Sequence, residues 1–233
     1  MAMEKQPLLK ALTRVGIASR RCLSAAIKEG RVEVNGEVVE GFNHPVDLAK
    51  DKVFIDGRAA HLEAQPFVYL ILNKPKDVLS TVKDERGRRT VIDILPLKYR
   101  KLRLYPVGRL DKDSTGLMLL TNDGDLAHRL THPSFEHEKE YLVKVRGLLK
   151  KGDIQRLEQG IRLEDGKTAP ARVKRLAQGE YNYSITIHEG KKRQLRRMFE
   201  SLGHYVLELK RVRMGKLRLG DLKEGGVREV GRI

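Results

Sequence analysis

The sequence has few of the features that mark secreted or membrane proteins. Cys22 is its single cysteine, so an internal disulfide is impossible and a reducing cytoplasm is the expected location. No uninterrupted apolar run reaches the ~18 residues of a membrane-spanning helix, and the N-terminus is too polar for a signal peptide. We therefore expect no membrane partner, and we predict that Cys22 is a small buried residue of a helix.

Aromatic residues are also scarce. There is no tryptophan, and aromatic residues make up 5% of the 233 positions, whereas 40% of the chain is hydrophobic. A sizeable core is possible, but it must consist mainly of Leu, Val and Ile. This length accommodates one medium domain or a small domain joined to a larger one.

Acidic residues are too few to balance the basic ones. The 47 Lys and Arg exceed the 31 Asp and Glu, which gives a net charge of +16. Residues 1–65 hold ten basic and nine acidic side chains, so 37 basic and 22 acidic ones lie in the remainder. Such a surplus favours a polyanionic partner, because counterions released from phosphate backbones drive binding. The larger part of the chain is predicted to bind nucleic acid more strongly.

The N-terminal residues have the pattern of a small helical and stranded unit. Gly16 has the position of a helix C-cap, and Ser19 is a good N-cap for a second helix. Asn-Gly after an alternating segment is a hairpin signal. The predicted elements are two helices within 8–32, a hairpin at Asn35-Gly36, a strand around 52–57 and a linker at 58–66.

The longer C-terminal part mixes strands and helices without regular alternation. This favours an α+β fold over a doubly wound one. We place the two domains at 1–62 and 63–233. The predicted helices lie at about 123–131, 151–159 and 191–202, and the predicted strands at 67–73, 116–121, 139–146, 182–188 and 205–213.

The most specific segment is PVGRLDKDSTGLMLLTNDG, from Pro106 to Gly124. It places one carboxylate, Asp111, in a glycine-bounded turn between two apolar segments. An aspartate in a loop is usually a helix cap or a turn former. This run, however, resembles the catalytic motif of the RNA pseudouridine synthases, in which the Asp of Arg-Leu-Asp is the nucleophile. The resemblance implies that role for Asp111.

Three further segments resemble the same family and occur in its order. They are Asn73-Lys-Pro75 with Ser80-Thr81, Lys139-Glu-Tyr141, and IHEGKKRQLRRMF from Ile187 to Phe199 with its continuation to Gly215. Lys76 follows Pro75 where the family often has glycine. The resemblance implies a synthase domain with a central, mostly antiparallel mixed sheet flanked by helices. The reaction would convert uridine to pseudouridine, an isomerisation that needs no cofactor.

The resemblance also assigns the supporting residues of the site. Tyr141 would stack against the target base, and Arg196 would pair with Asp111. Arg109 would assist base flipping, while Lys74 would lie in the pocket wall near Tyr141, with Leu195 as a further substrate contact. Arg193 and Arg197 are predicted to contact RNA.

The chemistry required fits these residue types. A uridine in folded RNA must be flipped from its stack at a cost of a few kcal/mol, and an aromatic face can recover about 1–3 kcal/mol of stacking. Burial raises the pKa of a carboxyl group and an adjacent guanidinium lowers it. An ionised Asp111 could attack the ribose, attack the base, or remove a ribose proton; the family picture leans to the last route.

The N-terminal sequence from Gly16 to Gly36 resembles the RNA-binding domain of ribosomal protein S-four. In that family a helix pair and the following loop grip structured RNA. The resemblance makes five residues phosphate-contact candidates: Arg14, Ser19, Arg20, Arg21 and Lys28.

Other functions fit the sequence less well. His128 and His132 share a helix face, but Pro133 interrupts that helix, so a metal site is not expected. A glycosidase pair of Asp111 and Asp113 is not supported by spacing alone, and no G-x-G loop suggests a methyltransferase. A non-catalytic ribosome-assembly factor remains an alternative.

The target RNA is less well defined than the reaction. The chain is similar to the ribosomal small-/large-subunit branch of the family, and most of all to its bacterial large-subunit rRNA members. Ribosomal RNA of the large subunit is therefore the expected partner, small-subunit rRNA or tRNA stays open, and a monomer is the expected state.

Overall fold

The chain divides into two compact units, Met1–Phe67 and Val68–Ile233, in a computed structural model that describes residues 5–63 and 65–233. The sequence places the boundary near residue 62, five residues before the observed division. The later division agrees with Phe67, whose ring lies 5.9 Å from the guanidinium carbon of Arg14 within the first unit.

The first unit packs two helices against short strands. Its core consists of apolar residues from both helices and from the strands, such as Leu8, Leu12, Leu23, Ile27 and Val32. The strands pair in the order β3-β2-β5-β6, and β1 pairs with β4. The elements are β1 (Gln6–Pro7), α1 (Leu8–Arg14), α2 (Arg20–Lys28), β2 (Val32–Val34), β3 (Glu37–Val38), β4 (Pro45–Val46), β5 (Val53–Ile55) and β6 (Arg58–Ala59).

In the first unit the structure confirms the predicted helix N-cap and the predicted hairpin turn. The Ser19 hydroxyl accepts a hydrogen bond from the Cys22 amide at 3.0 Å, which confirms the N-cap. Asn35 and Gly36 both have positive φ, at 54° and 92°, as a tight hairpin turn requires. The prediction for Cys22 was wrong. It is exposed, because α2 turns a stripe that includes Leu23 and Ile27 towards the core.

The second unit is built on a nine-stranded sheet. Its elements are β7 (Tyr69–Lys74), α3 (Leu97–Arg100), β8 (Tyr105–Val107), β9 (Thr115–Thr121), α4 (Gly124–Thr131), a 3₁₀ turn (Pro133–Phe135), β10 (Lys139–Val145), α5 (Lys151–Gln159), β11 (Arg162–Leu163), β12 (Gly166–Lys167), β13 (Arg172–Arg175), β14 (Tyr183–Ile187), α6 (Gln194–Glu200), β15 (Val206–Met214), β16 (Leu217–Arg218) and β17 (Val227–Val230).

The sheet is mixed. Its strand order is β13-β14-β10-β15-β9-β7-β17, with β16 on β15 and β8 on β9. Among its described strand pairs, β15 with β9 is parallel and the others are antiparallel. This pattern confirms the expected central mixed sheet, mostly antiparallel and accompanied by helices.

Apolar side chains cover both faces of the central strands. Leu70 and Leu72 of β7 belong to one hydrophobic cluster, whereas Tyr69 and Ile71 belong to another. Because successive side chains of a strand point to opposite faces, the two clusters lie on opposite sides of the sheet. The continuous apolar run at this strand therefore reflects two-sided burial, as its pattern predicted.

The ends of some helices and strands differ from the predicted ones, and at α6 the backbone conformation explains the difference. Helix α5 has the predicted bounds, but α6 is shorter than the predicted 191–202. Its N-cap residue Arg193 has a left-handed backbone with φ 48°, which delays the helix start. Strands β8, β13 and β17 were not predicted; each is short and paired at the side of a longer strand. No helix in residues 5–63 or 65–233 is long and apolar enough to cross a membrane.

Candidate active site

Asp111 lies in the loop between β8 and β9 and lines a cleft of about 680 Å³. The loop has the sequence Gly108-Arg-Leu-Asp-Lys-Asp-Ser114, and Gly108 has φ 74°, so the chain turns sharply as it leaves β8. Several predicted site residues meet here. The cleft is lined by Arg109, Asp111, Tyr141, Arg193 and Leu195, together with Arg211.

The segment after β7 holds this loop from one side. The Ser80 hydroxyl donates to the Leu110 carbonyl at 2.7 Å and accepts from the Leu110 amide at 3.1 Å. The Asp77 amide donates to the Lys112 carbonyl at 2.9 Å. Hydrogen bonds of the Ser80 hydroxyl and the Asp77 amide thus hold the loop backbone on both sides of Asp111.

Lys74 supports the loop from beneath. It is fully buried, and its Nζ donates to the carbonyls of Pro75 at 2.8 Å and Lys112 at 3.4 Å. Burial lowers the pKa of Lys74 to about 8, and the nearby carboxylates, Asp113 foremost, oppose this only in part. The expected position in the pocket wall was wrong, because the ammonium is enclosed under the loop and does not line the cleft.

Helix α6 holds the loop from the other side through Asp113. Arg193 at its N-cap donates from Nη1 to both Asp113 carboxylate oxygens, at 3.1 and 3.2 Å. Arg196 Nε lies 3.3 Å from the same carboxylate, and Nη2 donates to the Asp113 carbonyl at 3.1 Å. Burial opposes ionisation of Asp113, but the two arginines outweigh it, so the pKa of Asp113 lies below its ordinary value.

The arginines of the fourth motif therefore have other partners than expected. Arg196 pairs with Asp113 and does not pair with Asp111. Its remaining hydrogen bond goes to the Val206 carbonyl at 2.8 Å, so it links the loop, α6 and β15. Arg197, predicted to contact phosphate, is held by Asp165 at 2.9 and 2.8 Å. Both guanidinium groups are occupied within the protein.

Asp111 has a different environment from its neighbour. Its carboxylate forms no hydrogen bond or ion pair with any described residue. Arg193 and Lys74 lie close enough to interact with its charge electrostatically. The side chain is half-buried at the cleft surface. A carboxylate held this way is free to act on a ligand.

Tyr141 forms part of the opposite wall from the middle of β10. Only 8% of its surface is exposed, and it lines the cleft beside Leu195 and Leu209. Lys139 lies two residues earlier on the same strand face. Burial, helped by the positive charge of Arg211, lowers the pKa of Lys139.

The rim of the cleft carries exposed aromatic rings. Phe135, in the 3₁₀ turn, is 48% exposed, and its ring centroid lies 6.2 Å from that of His132 and 6.3 Å from that of His137. Both histidines line the cleft.

A second, open hollow adjoins the cleft at Asp111. It has a volume of about 560 Å³, and Arg109 and Asp111 line both spaces. Its wall also contains the basic residues Lys83, Arg86 and Arg88. Arg109 is exposed and forms no hydrogen bond or ion pair in the described part of the chain.

Sequence reasoning missed three residues of the site. Arg211 and Ser114 are buried and line the cleft, and Asp113 anchors the loop. In the sequence, Arg211 stands out only as part of the continuation of the fourth motif to Gly215, and Asp113 only as half of a rejected glycosidase pair. The alternation of β15 could have indicated that Arg211 faces the same way as Leu209.

The mixed sheet thus presents a carboxylate, unpaired among the described residues, in a cleft whose lining carries more cations than anions, which favours a polyanionic substrate such as RNA. The model of the RNA pseudouridylate synthase family matches residues 68–201. The chain therefore belongs to the RNA pseudouridine synthases and is an isomerase of that class.

Its relatives resemble it over nearly the whole chain. It is 44% identical to the ribosomal large subunit pseudouridine synthase B of Bacillus subtilis, covering 96% of this chain and 91% of the relative. Identity to the enzyme of the same name from Pseudomonas aeruginosa is 42%, over 97% of this chain and 59% of the relative. A crystal structure of a pseudouridylate synthase matches 97% of this chain and 96% of its own, with 31% identity and a TM-score of 0.68.

Proposed function

We propose that this enzyme converts uridine to pseudouridine in large-subunit ribosomal RNA, with Asp111 as the reacting carboxylate. The observation that carries this proposal is the unpaired carboxylate of Asp111 in the cleft, beside a neighbour, Asp113, that two arginines occupy. The target RNA is inferred from the named activity of the Bacillus and Pseudomonas relatives. The cytoplasm is then the expected location.

The target uridine leaves its helix and enters the cleft. Tyr141 stacks against the flipped base, because its ring lines the cleft and aromatic stacking offsets part of the unstacking cost. Arg109 occupies the border between the cleft and the basic hollow, where an exposed guanidinium can take the place of the displaced base or hold its phosphate. Leu195 packs at the wall of the same space.

Asp111 then acts on the nucleotide as an ionised group. The positive charges of Arg193 and Lys74 lie near it. The bond between ribose C1′ and uracil N1 breaks, the base turns, and a bond between C1′ and C5 forms. The three possible first steps all require Asp111 in this position.

Flanking nucleotides lie along the basic hollow and the aromatic rim. The hollow presents several Lys and Arg side chains that can meet phosphates. Phe135 and the adjacent histidine rings offer a stacking surface at the cleft mouth. The Arg193 side chain is 44% exposed although it is paired with Asp113, so it can contact RNA. Arg197 is paired with Asp165, so its role here is to stabilise the protein structure.

The first unit is an S-four-like RNA-binding module in this proposal. Arg14, Arg20, Arg21 and Lys28 are exposed around its helix pair. The guanidinium of Arg14 lies over the Phe67 ring and the ammonium of Lys28 lies 5.7 Å from the Phe42 ring centroid, which orients both cations. Ser19 caps α2, so its contribution to RNA binding is to fix the helix start.

Tritium release from C5-labelled uridine tests the reaction and its substrate. Wild type should release tritium from large-subunit transcripts and not from small-subunit or tRNA transcripts. Asp111→Asn should reduce the rate about a thousandfold or more, as removal of a reacting group does in other enzymes. RNA affinity should stay within about threefold, since the change is isosteric.

Asp77→Asn is the matched control. Asp77 is an exposed carboxylate of the same region, paired with Lys112 at 3.3 Å, and does not line the cleft. It should retain wild-type activity. Full activity of Asp111→Asn would remove Asp111 from the mechanism, and tight binding without release from any RNA would favour an assembly factor.

A further inference from the structure

Arg211 is a buried cation that has no counter-ion among the residues that the structure describes. It lies in β15 with 2% of its surface exposed, and its Nε donates to the Leu117 carbonyl at 2.8 Å. In residues 5–63 and 65–233 its terminal nitrogens have no hydrogen-bond acceptor, and Nη2 is fully buried. Because an unpaired buried charge is strongly unfavourable, we expect its partner to come from a ligand.

Unlike Arg211, the neighbouring arginines have carboxylate partners. Arg193 and Arg196 are paired with Asp113. Arg213, two residues further along β15, is paired with Glu140 at 3.0 Å and with Glu138 at 3.1 Å. Among these arginines, Arg211 therefore differs in having no carboxylate partner in the described residues.

Arg211 is adjacent to the proposed base platform. It is the cross-strand partner of Tyr141 in the pairing of β10 with β15, and both residues line the cleft. Lys139 contributes a second cation to the same wall, with Glu189 near it. Ser114 also lines this cleft, and its hydroxyl is buried with no hydrogen-bond partner in the described part of the chain.

We propose that Arg211 contacts the uracil ring and stabilises the negative charge that forms on it when its bond to ribose breaks; this rests on the function proposed above. The C1′–N1 bond breaks and its electron pair goes to the base, where N1 and the two carbonyl oxygens share the charge. The base turns and C5 bonds to C1′. C5 then loses its proton and N1 gains one, so the product is an isomer.

The position of Arg211 favours the base over a phosphate as its ligand. The side chain lies at the cleft wall beside Tyr141, where the ring of a flipped nucleotide would stack. Exposed cations such as Arg109 and Lys192 line the same cleft and are accessible to the RNA backbone. A fixed cation at the wall would also keep the detached base in the cleft while it turns.

Single-turnover kinetics at saturating RNA test this role. Arg211→Gln keeps a donor for the Leu117 carbonyl but removes the charge, and it should slow the chemical step about 100-fold or more, as loss of a charge-stabilising donor does elsewhere. The dissociation constant for RNA should change less than about threefold. Guanidinium ion added to Arg211→Ala should restore part of the rate, which a purely structural role would not allow.

Lys210→Gln is the control, because this half-buried cation immediately precedes Arg211 in β15 and points to the other face of the sheet. It should leave the chemical step unchanged. An unimpaired rate of Arg211→Gln would overturn the proposal, and so would a defect confined to RNA affinity, which would mark a phosphate contact. No release by wild type from any RNA would instead overturn the proposed function.

Inhibition of the wild-type enzyme tests the same role without a substitution, so it is informative even if the Arg211 variants fail to fold. Barbiturate is a uracil analogue that is an anion at neutral pH. It should inhibit tritium release at a lower concentration than neutral uracil does. Equal inhibition by the two compounds would overturn the role of Arg211.

Discussion

Asp111 and Asp113 lie two residues apart in one loop, yet their carboxylates have different surroundings. Asp113 accepts hydrogen bonds from Arg193 and lies against Arg196, and its pKa is lowered as a result, although burial opposes this. Asp111 has no such partner in the described residues and faces the cleft. Asp113 therefore anchors the loop, while the Asp111 carboxylate faces the cleft.

Lys74 is the second residue on which the loop depends, and it gives a prediction about pH. Its pKa of about 8 in the folded chain lies below the ordinary 10.5. Between these values the unfolded chain binds more protons than the folded one, so folding stability contributed by Lys74 rises with pH. Lys74→Met should lack this rise.

Urea unfolding from about pH 7.5 to about pH 10 measures it. The free energy of unfolding of wild type, relative to Lys74→Met, should increase by about 1–3 kcal/mol over this range, since one pKa unit corresponds to about 1.4 kcal/mol. Parallel profiles of the two proteins would contradict a buried, titrating ammonium under the loop.

At the scale of elements, the contact of β9 with β15 brings the motifs together. This parallel pair joins the strand that follows Asp111 to the strand that carries Arg211, with Gly116 opposite Arg211. Gly116 has φ 102°, and a Cβ there would lie 2.2 Å from the Arg211 carbonyl oxygen. The close approach requires glycine for two independent reasons.

Gly116→Ala should therefore be strongly destabilising. Strain at positive φ and a collision with backbone that cannot move aside together should cost about 2–4 kcal/mol. Chemical denaturation gives the change in the free energy of unfolding. Activity should fall as well, because displacement of β15 would move Arg211.

Gly166→Ala is a matched control for this substitution. Gly166 has the same φ of 102°, but the nearest atom to an added Cβ is the flexible end of Lys191, 3.7 Å away. It should therefore incur the backbone strain alone, about 1 kcal/mol. Equal losses at the two positions would show that the collision at Arg211 has no effect on stability.

At the scale of the whole molecule, the candidate site lies within one of the two compact units. The cleft and the basic hollow consist entirely of residues from the second unit. Most of the net positive charge also lies beyond residue 65. The second unit can thus attract RNA by charge, while selection of a structured target is the contribution expected from the first unit.

A fragment of residues 67–233 tests this division. It should fold and keep its cleft, but its affinity for structured rRNA should fall about tenfold or more, because a second binding module acts through effective concentration. Filter binding over a salt series measures the loss. Full-length protein with Arg20→Ala and Arg21→Ala should show a similar change, and unchanged affinity of the fragment would contradict a binding role for the first unit.

The sequence by itself determined the reaction class, the mixed fold and most element positions. Motif order around Asp111, the periodicity of α5 and the cap at Ser19 depend on residues close together in the chain, so they can be read from it. The sequence-based prediction for Cys22 failed, because an exposed and a buried small residue look alike without the neighbouring helix face.

Only the tertiary structure decided which charged side chains form ion pairs and which are buried without one. Arg196 lies 83 positions from Asp113, and its choice of Asp113 over Asp111 depends on how α6 docks against the loop. The enclosure of Lys74 and the unpaired guanidinium of Arg211 likewise arise from chain segments brought together by the sheet. Charge interactions depend on distance and burial in three dimensions, and sequence spacing does not contain either quantity.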